Sequence, residues 1–147
     1  MKKYADCPQI LRDFLIYHET IKGQSPLTIG EYYLDLRMFL RFIKLMRNDM
    51  PIHTRLDDID IKDVDLEFLR EVTTDQIYDF LLYADSEREN RTAAKARKLA
   101  AIRALYKFLV NKRGYMTDNP AANIDSPKKK KSLPKFLSLD EARALLA

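Results

Sequence analysis

The sequence has little cysteine, histidine and glycine, and each shortage excludes a class of site or structure. The single cysteine, Cys7, rules out an internal disulfide and a cysteine-based metal site, which leaves a buried or inert thiol. The two histidines, His18 and His53, are far apart, so we predict no metal and no cofactor, and we place His18 at the edge of the core. With only three glycines, the chain has few points at which helices are interrupted.

Long apolar runs are also missing. No segment approaches the roughly 20 apolar residues needed to span a bilayer, and the N-terminus lacks the apolar core of a secretory signal. We therefore predict a cytoplasmic protein with no membrane partner. A chain of 147 residues that is 46% apolar and 33% charged has an ordinary globular composition, with room for one domain.

Charge is unevenly distributed along the chain, although the net charge is only +4. Residues 49–87 hold 3 basic and 12 acidic side chains, whereas residues 88–135 hold 14 basic and 3 acidic ones. Such segregation favours a polyanionic partner, because the basic block attracts phosphate and the acidic block is repelled by it. A solvated surface without a partner is the alternative.

Apolar side chains recur at three- and four-residue steps, which predicts an all-α protein. Gly23 and Gly114 follow two of the helices as stop signals. Ser25-Pro26 and Thr73 to Gln76 have the form of helix starts, the second as a capping box. The predicted helices cover residues 8–22, 25–47, 73–84 and 92–111, with one further short helix at 120–124.

The second predicted helix has a continuous apolar face. We assign to the core Ile29, Tyr32, Tyr33, Leu36, Phe39, Leu40, Ile43 and Met46. The first helix directs Leu11, Phe14, Leu15, His18 and Ile21 to the core in the same way. We assign to the outer side of the second helix Thr28, Glu31, Asp35, Arg41 and Lys44. Gly30 interrupts this helix, which indicates either a close approach to the backbone or a tolerated imperfection.

Residues 48–72 form an acidic segment that we interpret as a connecting loop with one short turn. Its carboxylates do not follow the spacing of a calcium-binding loop, and no glycine supplies the turn that such a loop needs. We therefore predict no metal site there.

The fourth helix carries the strongest indication of a binding surface. On a helical wheel, Leu99, Ile102, Leu105, Tyr106 and Leu109 fall in one arc. The opposite arc, which we call the basic face, holds Arg97, Ala100, Arg103, Ala104 and Lys107. Alanines between cations let a helix approach a groove wall closely, while the long side chains reach phosphates or base edges. A solvated helix face is the alternative.

The C-terminal part of the chain predicts a linker followed by the start of another element. Lysines 128–131 and Lys135 lie between Pro127 and Pro134, so residues 126–137 read as an extended basic linker. Ser138 to Glu141 has the form of a capping box that opens a helix. We predict one helical domain over residues 1–125, the linker over 126–137, and the start of a second domain over 138–147. A short terminal helix that folds back on the main body is the alternative for the last segment.

Two blocks of sequence together resemble the N-terminal core-binding domain of the tyrosine recombinases, the Xer-type and phage-integrase family. The first block comprises Ser25, Thr28, Tyr32, Asp35, Leu36 and Phe39. The second comprises residues 96–103 with Tyr106, Phe108 and Leu109, then Asn119-Pro120, Ser126-Pro127-Lys128 and residues 133–138. The resemblance lies in the order and spacing of these pieces over most of the chain.

The resemblance implies a SAM-like bundle of four to five helices that forms half of a clamp around duplex DNA. Arg97 and Arg103 match the family pattern directly as DNA-binding residues. From charge and exposure we add Thr28, Arg41, Arg91, Lys95 and the linker residues Lys128, Lys129 and Lys130. The first helix would contact neighbouring recombinase subunits.

The same resemblance implies that the chemistry lies elsewhere. Family members cleave DNA with a tyrosine nucleophile, aided by arginine, lysine and histidine groups that stabilise the transition state. No such set is evident in this sequence, so we predict a DNA-binding unit with no catalytic residue and no activity on its own. A small helical DNA-binding regulator and a basic protein-interaction module are the alternatives.

Overall fold

The computed structural model describes residues 6–51, 54–88 and 92–124. Within them the chain forms α1 (Gln9–Ile16), α2 (Pro26–Arg47), α3 (Leu66–Arg70), α4 (Thr74–Arg88) and α5 (Thr92–Lys107). Helices α1 and α5 each continue into a π-helical turn, Tyr17–Ile21 and Phe108–Lys112, and a short 3₁₀ turn covers Leu56–Asp58. The described residues contain no strand, and the predicted all-α bundle of four to five helices is confirmed.

The predicted helix starts at Ser25 and Thr73 are confirmed by their hydrogen bonds. The amide of Thr28 donates to Ser25 Oγ at 3.2 Å, and Pro26 occupies the first turn of α2. At α4 the Gln76 amide donates to Thr73 Oγ1 at 3.2 Å, while the Thr73 amide donates to Gln76 Oε1 at 3.0 Å. This reciprocal pair satisfies two amide groups that a helix start otherwise leaves without partners. Helix α4 runs past its predicted end at Ala84, to Arg88.

Glycine ends both helices that finish in a π-helical turn. Gly23 has φ +68° and Gly114 has φ +65°, a left-handed conformation that other residues adopt only with strain. The Gln24 amide donates back to the His18 carbonyl at 3.0 Å, and the Tyr115 amide to the Leu109 carbonyl at 2.8 Å. The two glycines therefore act as the predicted stops.

Helix α2 is the centre of the bundle and is buried on more than one side. Leu36 and Phe39 are fully buried, and so is Phe42, which we did not assign to the core. The Phe80 ring of α4 lies 5.3 Å from that of Phe39 and 5.7 Å from that of Phe42, measured between centroids. Tyr106 of α5 is also fully buried, and its hydroxyl donates to the Leu69 carbonyl at 2.8 Å. One continuous apolar core results.

The interpretation of residues 48–72 as a loop is wrong in part. The segment contains the 3₁₀ turn and α3, and it contributes five side chains to the core: Ile59, Ile61, Val64, Leu69 and Val72. Asp65 caps α3 by accepting from the Phe68 amide at 3.0 Å. The segment alternates apolar and acidic residues, so one side packs on α2 while the carboxylates face outward.

Three assignments of helix faces are also wrong. Asp35, placed on the outer side of α2, has a side chain only 3% exposed because α5 covers it. Ile21, placed in the core, is 69% exposed, since the wider π-helical turn shifts it away from the face set by α1. Met46, near the end of α2, is 42% exposed, and Leu45 takes its place in the core.

Beyond α5, residues 120–124 form a hydrogen-bonded turn and not the predicted short helix. The Ala121 amide donates to Asn119 Oδ1 at 2.9 Å, and the Ala122 amide donates to the Asn119 carbonyl, three residues back, at 3.1 Å. Ala121 and Ile124 are nonetheless buried against the bundle. The predicted linker and the capping box at Ser138 lie outside the described residues.

We expect Gly30→Ala to stabilise the protein. Apart from the chain neighbours of Gly30 and the backbone of its own helix, no heavy atom of the described residues lies within 4 Å of a Cβ built there, so the added methyl group meets no obstacle. Alanine is favoured over glycine inside a helix by about 0.5–1 kcal/mol. Urea denaturation should show this gain in the free energy of unfolding. Gly114→Ala, at positive φ, should instead lower it, and a loss at Gly30 would mean that the site is crowded.

Candidate nucleic-acid interface

The basic face of α5 is turned away from the core, as the sequence predicts. Ala100 and Lys107 are exposed, the side chain of Arg97 is 48% exposed, and Arg103 and Ala104 are half-buried. On the other side of the helix, Leu99, Ile102, Leu105, Tyr106 and Leu109 are all buried. Helix α5 is therefore held by its apolar face and presents a row of cations separated by alanines.

Arg97 is fixed to α2 by a two-pronged ion pair with Asp35. Its Nε donates to Asp35 Oδ2 and its Nη2 to Asp35 Oδ1, both at 2.9 Å. Lys98 Nζ approaches the same carboxylate at 3.1 Å, from a side chain that is only 8% exposed. The hydrogen bonds that Arg97 donates to Asp35 raise the pKa of Arg97 above its usual value. One buried carboxylate thus serves two cations, and the cluster keeps a net charge of +1.

The cations of α2 behave differently, because the acidic segment neutralises them. The side chain of Arg41 is 11% exposed, and its Nη2 lies 3.1 Å from Asp6 Oδ2 and its Nη1 3.4 Å from Asp57 Oδ1. The Arg41 Nε also donates to the Ile59 carbonyl at 3.2 Å. Arg41 and Arg97 line the same cavity of about 240 Å³, together with Asp57. The predicted DNA contact by Arg41 remains a prediction, and the geometry gives this side chain a role in tying the acidic segment to α2.

Two further cations of α2 are paired in the same way. Lys44 Nζ lies 2.5 Å from Asp63 Oδ1 and 2.6 Å from the Asp60 carbonyl. Arg47 lies 3.4 Å from Glu71 Oε1 and donates to the Phe68 carbonyl at 2.8 Å. Opposite charges therefore cancel along the second half of α2, which leaves α5 as the more strongly basic helix.

A groove lies between the two π-helical turns, and we call it the π-turn groove. Its volume is about 570 Å³. It is lined by four cationic side chains, and no carboxylate from the described residues lines it. The cations come from three elements: Lys22 after α1, Arg103 and Lys107 on α5, and Lys112 in the second π-helical turn. The groove therefore continues the basic face of α5 toward α1.

His18 lies at the floor of the π-turn groove and is nearly fully buried, as predicted for a core-edge histidine. Its Nδ1 lies 2.8 Å from Gln24 Oε1, and its ring packs on Phe14 with centroids 4.4 Å apart. Burial lowers the pKa of His18; the hydrogen bond with Gln24 opposes that shift, and the charge of Lys22 adds to it. A neutral imidazole is therefore preferred in the folded protein.

We expect His18 to make the protein less stable in mild acid. Because the pKa is lower in the folded state than in the unfolded state, the unfolded chain binds the proton more readily. The contribution of neutral His18 to the free energy of unfolding is fully present above the unfolded-state pKa of about 6.5. It is lost as the pH falls through the folded-state pKa. Urea denaturation should show that the free energy of unfolding falls between pH 7 and pH 5. The fall should be smaller in His18→Phe, which keeps the aromatic contact, than in the wild type. Equal losses in both proteins would contradict this assignment.

The predicted DNA-binding residues fall into three groups. Arg97 and Arg103 lie on the basic face, and Lys95, about two turns before Arg103, is half-buried. Thr28 lies on α2 in register with Tyr32, which lines the π-turn groove, and its Oγ1 is 3.2 Å from Ser25 Oγ. Arg91 and the linker residues Lys128, Lys129 and Lys130 lie outside the described residues.

Sequence reasoning missed three contributors to this surface. Lys22 and Lys112 are distant in sequence from each other, and packing between the two π-helical turns, as in the contact of the Tyr17 and Phe108 rings, brings them to one groove. Asp35 was assigned to solvent because a charged residue between apolar positions is usually exposed. Asp35 pairs with Arg97 and Lys98, which are 62 and 63 positions further along the chain. Helical periodicity gives no information on contacts at that separation.

Other kinds of site find no support in the described part of the chain. It contains no group of three or more histidine, cysteine, aspartate or glutamate residues that could hold a metal ion. It also contains no helix whose length and apolarity would let it cross a bilayer. Burial raises the pKa of the Cys7 thiol to about 11, which fits the predicted inert cysteine.

The sequence is similar to recombinases from several bacteria. It is 38% identical over 139 residues to tyrosine recombinase XerC of Caldanaerobacter subterraneus subsp. tengcongensis, a match that covers 95% of this chain and 39% of the relative. It is 34% identical to tyrosine recombinase XerC of Halalkalibacterium halodurans, over 90% of this chain and 37% of the relative. It is also 29% identical to tyrosine recombinase XerD of Listeria innocua, over 94% of this chain and 40% of the relative.

The chain spans about two fifths of the length of these curated relatives. No protein-family model and no solved structure matches it. The similarity nevertheless extends over almost the whole chain and recurs across many relatives. The structure is also the helical bundle that the resemblance of the sequence motifs predicts. The chain is therefore similar to Xer-type tyrosine recombinases over almost its whole length, and its matches are consistent with the N-terminal domain of such a protein.

Proposed function

We propose that this chain binds duplex DNA as the N-terminal, core-binding part of a Xer-type recombinase. The observation that carries the proposal is the basic face of α5, extended by the π-turn groove, on which Arg97, Arg103, Lys107, Lys22 and Lys112 lie together. Cations on one helix face and at its flank match the phosphates that border a major groove. The cytoplasmic location predicted from the sequence is part of this proposal.

The distribution of negative charge supports the same orientation. The carboxylates of Asp57, Asp63 and Glu71 are exposed and pair with cations of α2. None of them lines the π-turn groove. DNA therefore approaches most favourably along α5 and the N-terminal half of α2, where Thr28 and Tyr32 lie, from the side of the π-turn groove, since Asp57 lines the cavity on the other side of Arg97.

Helix α1 offers the surface for neighbouring recombinase subunits. Ile16 and Ile21 are exposed, and with Tyr17 they line a shallow cavity of about 390 Å³ between α1 and the second π-helical turn. Exposed apolar side chains gathered at one site favour contact with another protein surface. The proposed contact would form between whole recombinase subunits that are assembled on DNA.

We further propose that the described domain contributes no nucleophile. Burial raises the pKa of the Tyr106 phenol, and burial together with the hydrogen bond to Asp6 raises that of Tyr33. A phenol that resists ionisation is a poor nucleophile, so neither side chain is suited to attack on a phosphodiester. Strand cleavage would depend on residues other than Tyr33 and Tyr106.

Titration of a fluorescent 30-base-pair duplex at several salt concentrations tests the proposal. If four to five cations neutralise phosphates, the slope of log K against log salt should be about −4, because each contact contributes roughly −0.9. Affinity then falls by more than about 100-fold between 50 and 200 mM salt. An absence of binding at low salt, with retention of an acidic protein partner, would instead favour a protein-interaction module.

A further inference from the structure

We propose that Asp35 is a positioning residue for DNA binding: it holds the guanidinium of Arg97 in one orientation at the DNA surface. This inference rests on the proposed DNA contact by Arg97. It assigns a function to an acidic residue that lies against a surface otherwise suited to phosphate. A carboxylate at that surface would by itself repel phosphate, so its effect on Arg97 has to outweigh this repulsion.

The geometry fixes one edge of the guanidinium and leaves the other edge for a ligand. Asp35 accepts from Nε and Nη2 of Arg97 in a fork-to-fork arrangement, with both distances 2.9 Å. Asp35 itself is immobilised, because its side chain is 3% exposed and packed between α2 and α5. No acceptor in the described residues is bonded to Arg97 Nη1, and the Arg97 side chain is 48% exposed. The free edge therefore faces the surface with a defined direction.

Lys98 removes the electrostatic cost of placing a carboxylate there. Its ammonium lies 3.1 Å from Asp35 Oδ1 and is almost entirely buried. Asp35 and Lys98 cancel each other, so the cluster of these two residues and Arg97 keeps a charge of +1 for an incoming phosphate; Glu31 also acts on Arg97 through its charge. A cluster of Asp35 and Arg97 alone would have no net charge and would attract DNA weakly.

Preorganisation gives Asp35 a favourable effect on affinity although its own charge opposes DNA. A free arginine side chain has many rotamers, and immobilising such a side chain on binding costs roughly 0.5–1.5 kcal/mol. The ion pair with Asp35 restricts Arg97 before DNA arrives. The competing explanation is that Asp35 serves only as a buried counter-ion for Lys98, in which case its removal leaves DNA binding unchanged once Lys98 is removed with it.

The double substitution Asp35→Leu/Lys98→Met separates the two explanations. It removes one carboxylate and one ammonium, so the net charge is that of the wild type and no buried charge is left unpaired. Replacing a buried ion pair by apolar residues of similar size is often neutral or stabilising, so the variant is expected to fold. Arg97 keeps its charge but loses its support.

We expect this variant to bind the 30-base-pair duplex about 5-fold more weakly than the wild type, which corresponds to the cost of ordering one long side chain. The salt slope should stay unchanged, because the number of phosphate contacts is the same. In an Arg97→Ala background, the same two substitutions should have no further effect. A drop in affinity only when Arg97 is present identifies positioning, which a purely structural role would not produce.

Three results would overturn the inference: a double variant that binds as tightly as the wild type, an equal loss in the Arg97→Ala background, or an Arg97→Ala variant that binds normally. If the wild type itself fails to bind the duplex, the proposed function fails instead. Should the double variant not fold, ¹⁵N relaxation of the arginine Nε groups in the wild type provides the test. The Nε of Arg97 should be markedly more ordered than that of the exposed Arg55, and equal mobility would refute positioning.

Discussion

Replacing Arg97 and Arg103 together with alanine is expected to lower duplex affinity by about 100-fold, since each contact of this kind contributes roughly 1–3 kcal/mol. The two side chains are six residues apart on α5, about 1.7 turns, and lie at the two edges of the basic face, which lets both reach the same groove. The salt slope should become less steep by about one unit for each phosphate contact that is removed. Fluorescence anisotropy at 100 mM salt, followed by a salt series, measures both quantities.

The matched control is Arg55→Ala/Lys62→Ala. It removes the same amount of positive charge from the acidic segment, where both side chains are exposed. If DNA binds along α5, this control should change affinity by only a few-fold through the general field of the protein. Equal losses in the two double variants would show that net charge alone governs binding, and helix α5 would lose its assigned role. Unfolding curves of all variants exclude damage to the fold.

The helices and their starts were predictable because the information for them is local. The apolar periodicity of α2 and α5, the cap at Ser25 and the capping box at Thr73 all act within one or two turns. The π-helical turns were not predictable, because they depart from the 3.6-residue period of an α-helix, from which the helix faces are predicted. The exposure of Ile21 is a direct consequence of that departure.

The candidate interface was predictable only in part, for a related reason. The basic face of α5 follows from a helical wheel, and it was identified together with Arg97 and Arg103. The buried side of the acidic segment was not recognised, because Ile59, Ile61 and Val64 alternate with charged residues, as in a solvated loop. Its Asp57 carboxylate pairs with Arg41 on α2, so a cation that the sequence places on the outer side of the helix is largely enclosed in the structure.

Asp35→Ala is expected to lower the free energy of unfolding by about 3–5 kcal/mol, the usual effect of removing one partner from a buried ion pair. The loss arises at Lys98, whose ammonium is 8% exposed and has Asp35 as its ion-pair partner among the described residues. Arg97 contributes less, because its half-exposed guanidinium regains water when the carboxylate is gone. Urea denaturation at pH 7 measures the difference.

Two further variants test whether the loss has this origin. Adding Lys98→Met to Asp35→Ala should recover most of the stability, since it removes the ammonium that was left without a carboxylate. Asp57→Ala, which removes an exposed carboxylate that pairs with Arg41, should cost less than about 1 kcal/mol. A loss below about 1 kcal/mol for Asp35→Ala would mean that Lys98 reaches water when unpaired. The charge cluster between α2 and α5 would then contribute little to the fold, and its role would lie in orienting Arg97 alone.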